Sequence, residues 1–133
     1  MDATTKQHYL KQYLKLFGWL NVLVVSFPVP LLVGDFLLWQ PRNLAVELML
    51  SSLYFAMGIV MVASSRAPQA PKAFIDFLVL VNLLHGLLMF AVAENWRHVF
   101  LDALPITLMG ALPLFIYPWG LQHLFRYSSR TSL

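Results

Sequence analysis

The chain has no cysteine, so a disulfide, a thiolate zinc site and a cysteine nucleophile are all excluded. Charge is nearly as scarce. Only 11% of the 133 residues are Asp, Glu, Lys or Arg, against 59% hydrophobic, whereas soluble domains carry about 25% charge. The mean hydropathy of +0.69 points the same way. A surface so poor in charge suits a lipid bilayer rather than water. There is no glycine-rich phosphate loop and no Gly-x-Ser-x-Gly elbow. The Glu-x-x-His pair of di-iron bundles and the zincin motif are missing as well. No internal repeat is visible.

What the chain does have is long apolar runs. Four are long enough to cross a bilayer, which takes roughly 20 helical residues. They lie at about Leu14–Val33, Ala45–Ala63, Ala73–Ala93 and Val99–Gly120. The links between them are short: "GDFLLWQPRNL", "SSRAPQAPK" with its breakers Pro68 and Pro71, and "ENWRH". Short links make consecutive helices antiparallel neighbours. The expected fold is an all-α membrane protein, a four-helix antiparallel transmembrane bundle forming one domain over 1–133.

Lys and Arg placement sets the expected orientation. Lys6, Lys11, Lys15, Arg126 and Arg130 flank the outer ends of the chain, and Arg66 and Lys72 sit in the second link. Arg42 and Arg97 stand on the opposite side, beside Asp35, Glu47, Glu94 and Asp102. Both termini are therefore expected in the cytoplasm. The net charge of +3 could suggest a nucleic-acid partner, but basic residues at segment ends are explained by topology, and no such partner is expected. The basic, apolar N-terminal region resembles a signal peptide, yet no small-x-small site follows it. It is read as a retained first span. Tyr9, Tyr13 and Phe17 form one stripe of a helix start expected in the headgroup layer, and Trp39, Trp96 and Trp119 fall at expected interfaces.

Ionisable and polar groups inside a bilayer are costly and usually face the bundle interior. Glu47, Ser51, Tyr54 and Gly58 share a face of span two. Asn82, His85 and Met89 share one of span three, and His98 and Asp102 are four apart in span four. Span one holds Asn21, Ser26 and a Pro28–Pro30 kink that frees backbone carbonyls. Tyr54 lies roughly 10 Å deeper than Glu47, and His85 roughly 13 Å below Glu94, at 1.5 Å per residue. The two side chains should then meet at one depth. The expected site is an outward-opening polar pocket, with Glu47, His98 and Asp102 at its mouth and Tyr54, Asn82 and His85 at its floor.

Each of these residues also has a purely structural explanation. His85 and Asn82 serve as interhelical hydrogen-bond glue, Tyr54 as a packed aromatic, Glu47 and Asp102 as first-turn acids favoured by helix dipoles. Gly58, Gly86 and Gly110 permit close helix approach. His98 and Asp102 have an i, i+4 spacing usable by a metal, but no metal or cofactor is expected.

The stretches "VELMLSSLYFAMGIVMVASSRAP", "KAFIDFLVLVNLLHGLLMF" and "RHVFLDALPITLMG" resemble an uncharacterised family of small four-span bacterial membrane proteins. The matching polar positions are Glu47, Tyr54, Gly58, Arg66, Pro68, His85, His98, Asp102 and Pro105. The resemblance implies a bacterial inner (plasma) membrane location and a four-helix architecture, and no particular activity. Span one departs most from the pattern. The leading functional expectation is a non-enzymatic membrane bundle that binds a lipophilic small molecule or a partner membrane protein, with a homo-oligomer or larger complex as further associations. The alternative is a membrane-embedded acid–base enzyme acting on a lipophilic substrate, with His85 or Glu47 as proton carrier and Tyr54 as hydrogen-bond donor, or a proton-coupled transporter with Glu47, His85 and Asp102 as a proton relay.

Overall fold

The structure, a computed structural model, describes residues 1–33, 41–68 and 71–116. Among these residues all regular structure is helical. Helix α1 spans Ala3–Leu20, and its start is fixed by Asp2, whose side chain accepts from Thr5 N–H at 3.1 Å. That contact holds the Asp2 carboxyl below its ordinary pKa. The helical path then continues in two π-turns, Asn21–Val25 and Val29–Val33, rather than stopping. Helix α2 spans Leu44–Arg66 and is capped by Asn43, whose side chain accepts from Val46 N–H at 3.2 Å. Helix α3 spans Lys72–Val92. A third π-turn, His98–Ala103, leads directly into α4, Leu104–Phe115, with Pro105, which has no N–H to offer the preceding turn, in its first turn.

Three of these helical stretches are long and apolar enough to cross a membrane: Leu44–Arg66, Lys72–Val92 and His98–Phe115. Their outward faces carry Leu53, Ile59, Leu84, Leu88 and Phe115 in exposed positions, while Ser51, Asn82 and His98 are buried. That polarity is the reverse of a soluble protein and is that of a membrane protein. Spans two and three differ from their sequence-based bounds by a few residues at most. The segment expected as the first span differs more. Its helix begins at Ala3, so the amphipathic start and the apolar run form one helical path. Polar residues, Lys6, Lys11 and Lys15 among them, fill the early turns of α1, so this 18-residue helix, as long as His98–Phe115, is not apolar enough to join the membrane-capable set. Asp35, Trp39, Trp119, Arg126, Arg130 and the expected end of span four lie outside the described residues.

Helices surrounded by lipid gain little from apolar burial against one another. Close packing and hydrogen bonds hold them instead. The closest approaches occur at glycines. A Cβ on Gly58 would sit 2.8 Å from the Gly18 carbonyl oxygen, and one on Gly110 would sit 2.8 Å from Leu83 N. Gly86 lies against the Thr107 backbone in the same α3–α4 contact. Thus α1 pairs with α2, and α3 pairs with α4. A cluster of Leu10, Tyr13, Leu14, Met61, Ile75, Leu78 and Met109 joins the two pairs at one end.

One hydrogen bond in that cluster follows from a proline. Pro113 has no N–H, so the Met109 carbonyl one turn earlier lacks its helical donor. The Tyr13 hydroxyl, from α1, donates to that oxygen at 2.5 Å. Tyr13 is 7% exposed. It therefore belongs to the core, not to the headgroup layer as its stripe with Tyr9 suggested. A bare carbonyl in an apolar interior attracts the nearest donor, and that contact outweighs the interfacial preference of tyrosine.

Candidate functional site

Beside this cluster, with Met109 common to both and Phe17 packed on the one and lining the other, a cavity of about 510 Å³ lies between the two helix pairs. All three π-turns contribute to its wall: Asn21, Val25, Val29, Pro30, Leu101 and Asp102 are lining residues. A π-turn bonds i to i+5, so it widens the helix and shifts the side chains that follow; such turns recur at functional sites. Pro30 within the second π-turn and Pro105 after the third show why these positions depart from α-geometry.

Most of the wall is apolar, from Phe17, Leu50, Met89, Ile106 and Met109 among others. Four of the expected site residues line it: Glu47, Tyr54, His85 and Asp102. Tyr54 from α2 and His85 from α3 meet directly. The phenol oxygen lies 3.0 Å from His85 Nδ1, and the two rings stack with centroids 6.3 Å apart. This bond crosses from one helix pair to the other. The depth arithmetic for these two residues thus agrees with their observed contact.

Glu47 has a partner that sequence reasoning passed over. Arg42 Nε lies 3.1 and 3.2 Å from the two carboxylate oxygens, and Nη2 lies 2.5 Å from Oε2. The same Nη2 donates to the Pro30 carbonyl at 2.7 Å. One guanidinium therefore clasps the end of the α1 path to the first turn of α2. The bidentate fork is the geometry that arginine, unlike lysine, supplies. The carbonyl taken is that of Pro30 itself, not one freed a turn earlier. Arg42 stands five residues before Glu47 and outside the helix, so no helical spacing rule pairs them.

Asn21 was noted in the sequence as a polar residue of span one, but not assigned to the site. It lines the cavity and is 1% exposed. Its Nδ2 donates to the Phe17 carbonyl at 2.8 Å and lies 3.8 and 3.9 Å from the sulfurs of Met109 and Met61. Its Oδ1 is buried with no hydrogen-bond partner among the described residues.

Two expected site residues are not in the cavity lining. Asn82 is buried where α3 meets α4; its Nδ2 donates to the Leu78 carbonyl at 2.8 Å, and its backbone lies against Gly110. The absent side chain at Gly110 draws α4 onto that face of α3. His98 is 7% exposed at the start of the third π-turn, where its N–H donates to Asn95 Oδ1 at 3.2 Å. An i, i+4 pair stacks in an α-helix, but in a π-turn it is offset, so Asp102 lines the cavity while His98 does not. Among the described residues, no group of three or more His, Asp or Glu side chains could hold a metal ion.

Comparisons with protein-family models, with curated proteins and with solved structures found no match. The site is consequently understood from its own geometry. It offers a mostly apolar chamber whose wall includes a hydrogen-bonding pair, Tyr54 and His85, and an ion-paired carboxylate, Glu47.

Proposed function

We propose that this protein is a four-span membrane bundle that binds one lipophilic small molecule in the cavity between its helix pairs. The cavity carries the reading. At about 510 Å³ it falls within the roughly 300–1,000 Å³ of small-molecule sites, and its wall is mostly apolar with a few convergent polar groups. The fourth span is the α1 path, whose stretch from Leu16 to Val33 is apolar except for the buried Asn21 and Ser26 and the half-buried or buried prolines. The Lys and Arg distribution favours cytoplasmic termini, with the cavity opening toward the outer leaflet. A bacterial inner membrane is the setting implied by the sequence resemblance.

Native mass spectrometry of gently solubilised protein tests the reading, with the wild type run beside Met89→Trp, which puts an indole into the chamber, and beside the triple variant Leu50→Trp, Met89→Trp, Ile106→Trp, which narrows it further. A defined adduct of small-molecule mass should appear on the wild type, weaken in the single variant and weaken most in the triple variant. An adduct that persists unchanged in the triple variant would rule the cavity out as its site.

A further inference from the structure

The Tyr54–His85 pair also constrains the ligand's head group. A neutral imidazole and a phenol together hold two donors, one N–H and one O–H, and an acceptor on each ring. Their mutual bond uses one donor and one acceptor. If the Tyr54 hydroxyl donates to Nδ1, the Nε2–H of His85 is left over. If Nδ1–H donates to the phenol oxygen, the Tyr54 O–H is left over. Either tautomer leaves one unused donor on residues that line the cavity, and neither side chain has another hydrogen-bond partner among the described residues.

The charges nearby are already engaged. Arg42 grips both oxygens of Glu47, and Asp102 has an interaction of its own. A charged head would enter a mostly apolar chamber and compete with partners in place, whereas a neutral oxygen need only accept the spare donor. A donor left unmet in a mostly apolar chamber is costly, so the match carries selectivity.

Resting on the ligand-binding reading above, we infer that the cavity takes an uncharged, oxygen-headed amphiphile: a single alkyl chain ending in a hydroxyl or carbonyl, whose oxygen accepts from the Tyr54–His85 pair.

The test uses the full chain in phosphatidylcholine nanodiscs and a diazirine-bearing dodecyl alcohol as a photolabel, with labelled peptides mapped by mass spectrometry. Competitors are dodecanol, dodecane, dodecylammonium and dodecanoate at equal bilayer mole fraction. Dodecanol should displace the label about tenfold better than dodecane, the effect of one net hydrogen bond, and better than either charged analogue. Tyr54→Phe and His85→Leu should each retain that preference, because each leaves one donor in place. Only the double variant should lose it while still labelling in the cavity. If dodecane competes as well as dodecanol, or a charged head competes better, the head-group inference fails and the ligand-binding reading stands. If no cavity peptide is labelled in the wild type, both fail. A preference that disappears in Tyr54→Phe alone would also overturn the shared-donor inference.

Discussion

Replacing Tyr13 by Phe removes one hydroxyl and leaves the ring in its packing against Phe17, 4.7 Å away between centroids. The loss falls on the Met109 carbonyl, because residue 113 is a proline and has no N–H to offer it. An acceptor stranded in this way costs about 1–3 kcal/mol. Interhelical hydrogen bonds in membrane proteins average nearer 0.6 kcal/mol, with a maximum of about 1.7. The expected loss for Tyr13→Phe is therefore about 1–2 kcal/mol. Pro113→Ala supplies a backbone N–H one turn after Met109, so in that background the hydroxyl becomes redundant and Tyr13→Phe should cost less than about 0.5 kcal/mol. The coupling between the two sites should come out near 1 kcal/mol. Any cavity left by the proline ring appears in both Pro113→Ala proteins and cancels in the cycle. Unfolding of the four proteins by SDS in mixed micelles, followed by tryptophan fluorescence, gives the free energies. An equal cost of Tyr13→Phe in both backgrounds would refute the claim that the tyrosine replaces the missing N–H.

Gly58→Leu and Gly86→Leu should each destabilise by at least about 1–3 kcal/mol, because beyond side chains that can shift, a Cβ would meet the Gly18 carbonyl oxygen at 2.8 Å and the Thr107 backbone nitrogen at 2.8 Å, which cannot swing aside; the same SDS titration measures it. Arg42→Gln strands the partly buried Glu47 carboxylate and should cost about 1–3 kcal/mol, between surface and buried pairs, while adding Glu47→Gln should recover most of it; no recovery would place the effect in the Pro30 contact instead. Asn21→Leu removes a buried oxygen that lacks a partner and leaves Phe17 O its backbone donor from residue 21, so stability should hold or rise by about 1 kcal/mol; a loss of that size would mean the oxygen is met in the native bundle. The Asp2 cap is held as a carboxylate by Thr5, so its contribution is full above the ordinary pKa of 3.8 and disappears as pH falls through the lowered native value; the readout is the Thr5 amide protection factor, its exchange rate relative to the intrinsic rate at each pH, which should hold constant above about pH 5 and drop on further acidification.

The helical class and the positions of spans two and three were readable in the chain because lipid imposes a length and an apolarity on every crossing segment, whatever its neighbours. The pairing of Tyr54 with His85 was readable for a similar reason. Helical rise converts residue number into depth, and buried polar groups at one depth seek each other. The same logic misjudged Asn82 and His98. Both are buried as expected, but rotation about the helix axis, which depth does not report, turned them away from the cavity. The absent Cβ at Gly110 settled one case and a π-turn the other.

The sequence alone determined that the chain is helical and suited to a membrane, and which polar residues its interior must accommodate. Both follow from local properties, apolar length and the cost of burying polar groups. The tertiary structure alone decided that Tyr13 would serve Met109, that Arg42 would join Pro30 to Glu47, and that the two glycine-packed pairs would leave a cavity between them. These depend on which segments approach which, across separations no periodicity encodes. Backbone acceptors at prolines and missing side chains at glycines take effect only when another helix arrives beside them.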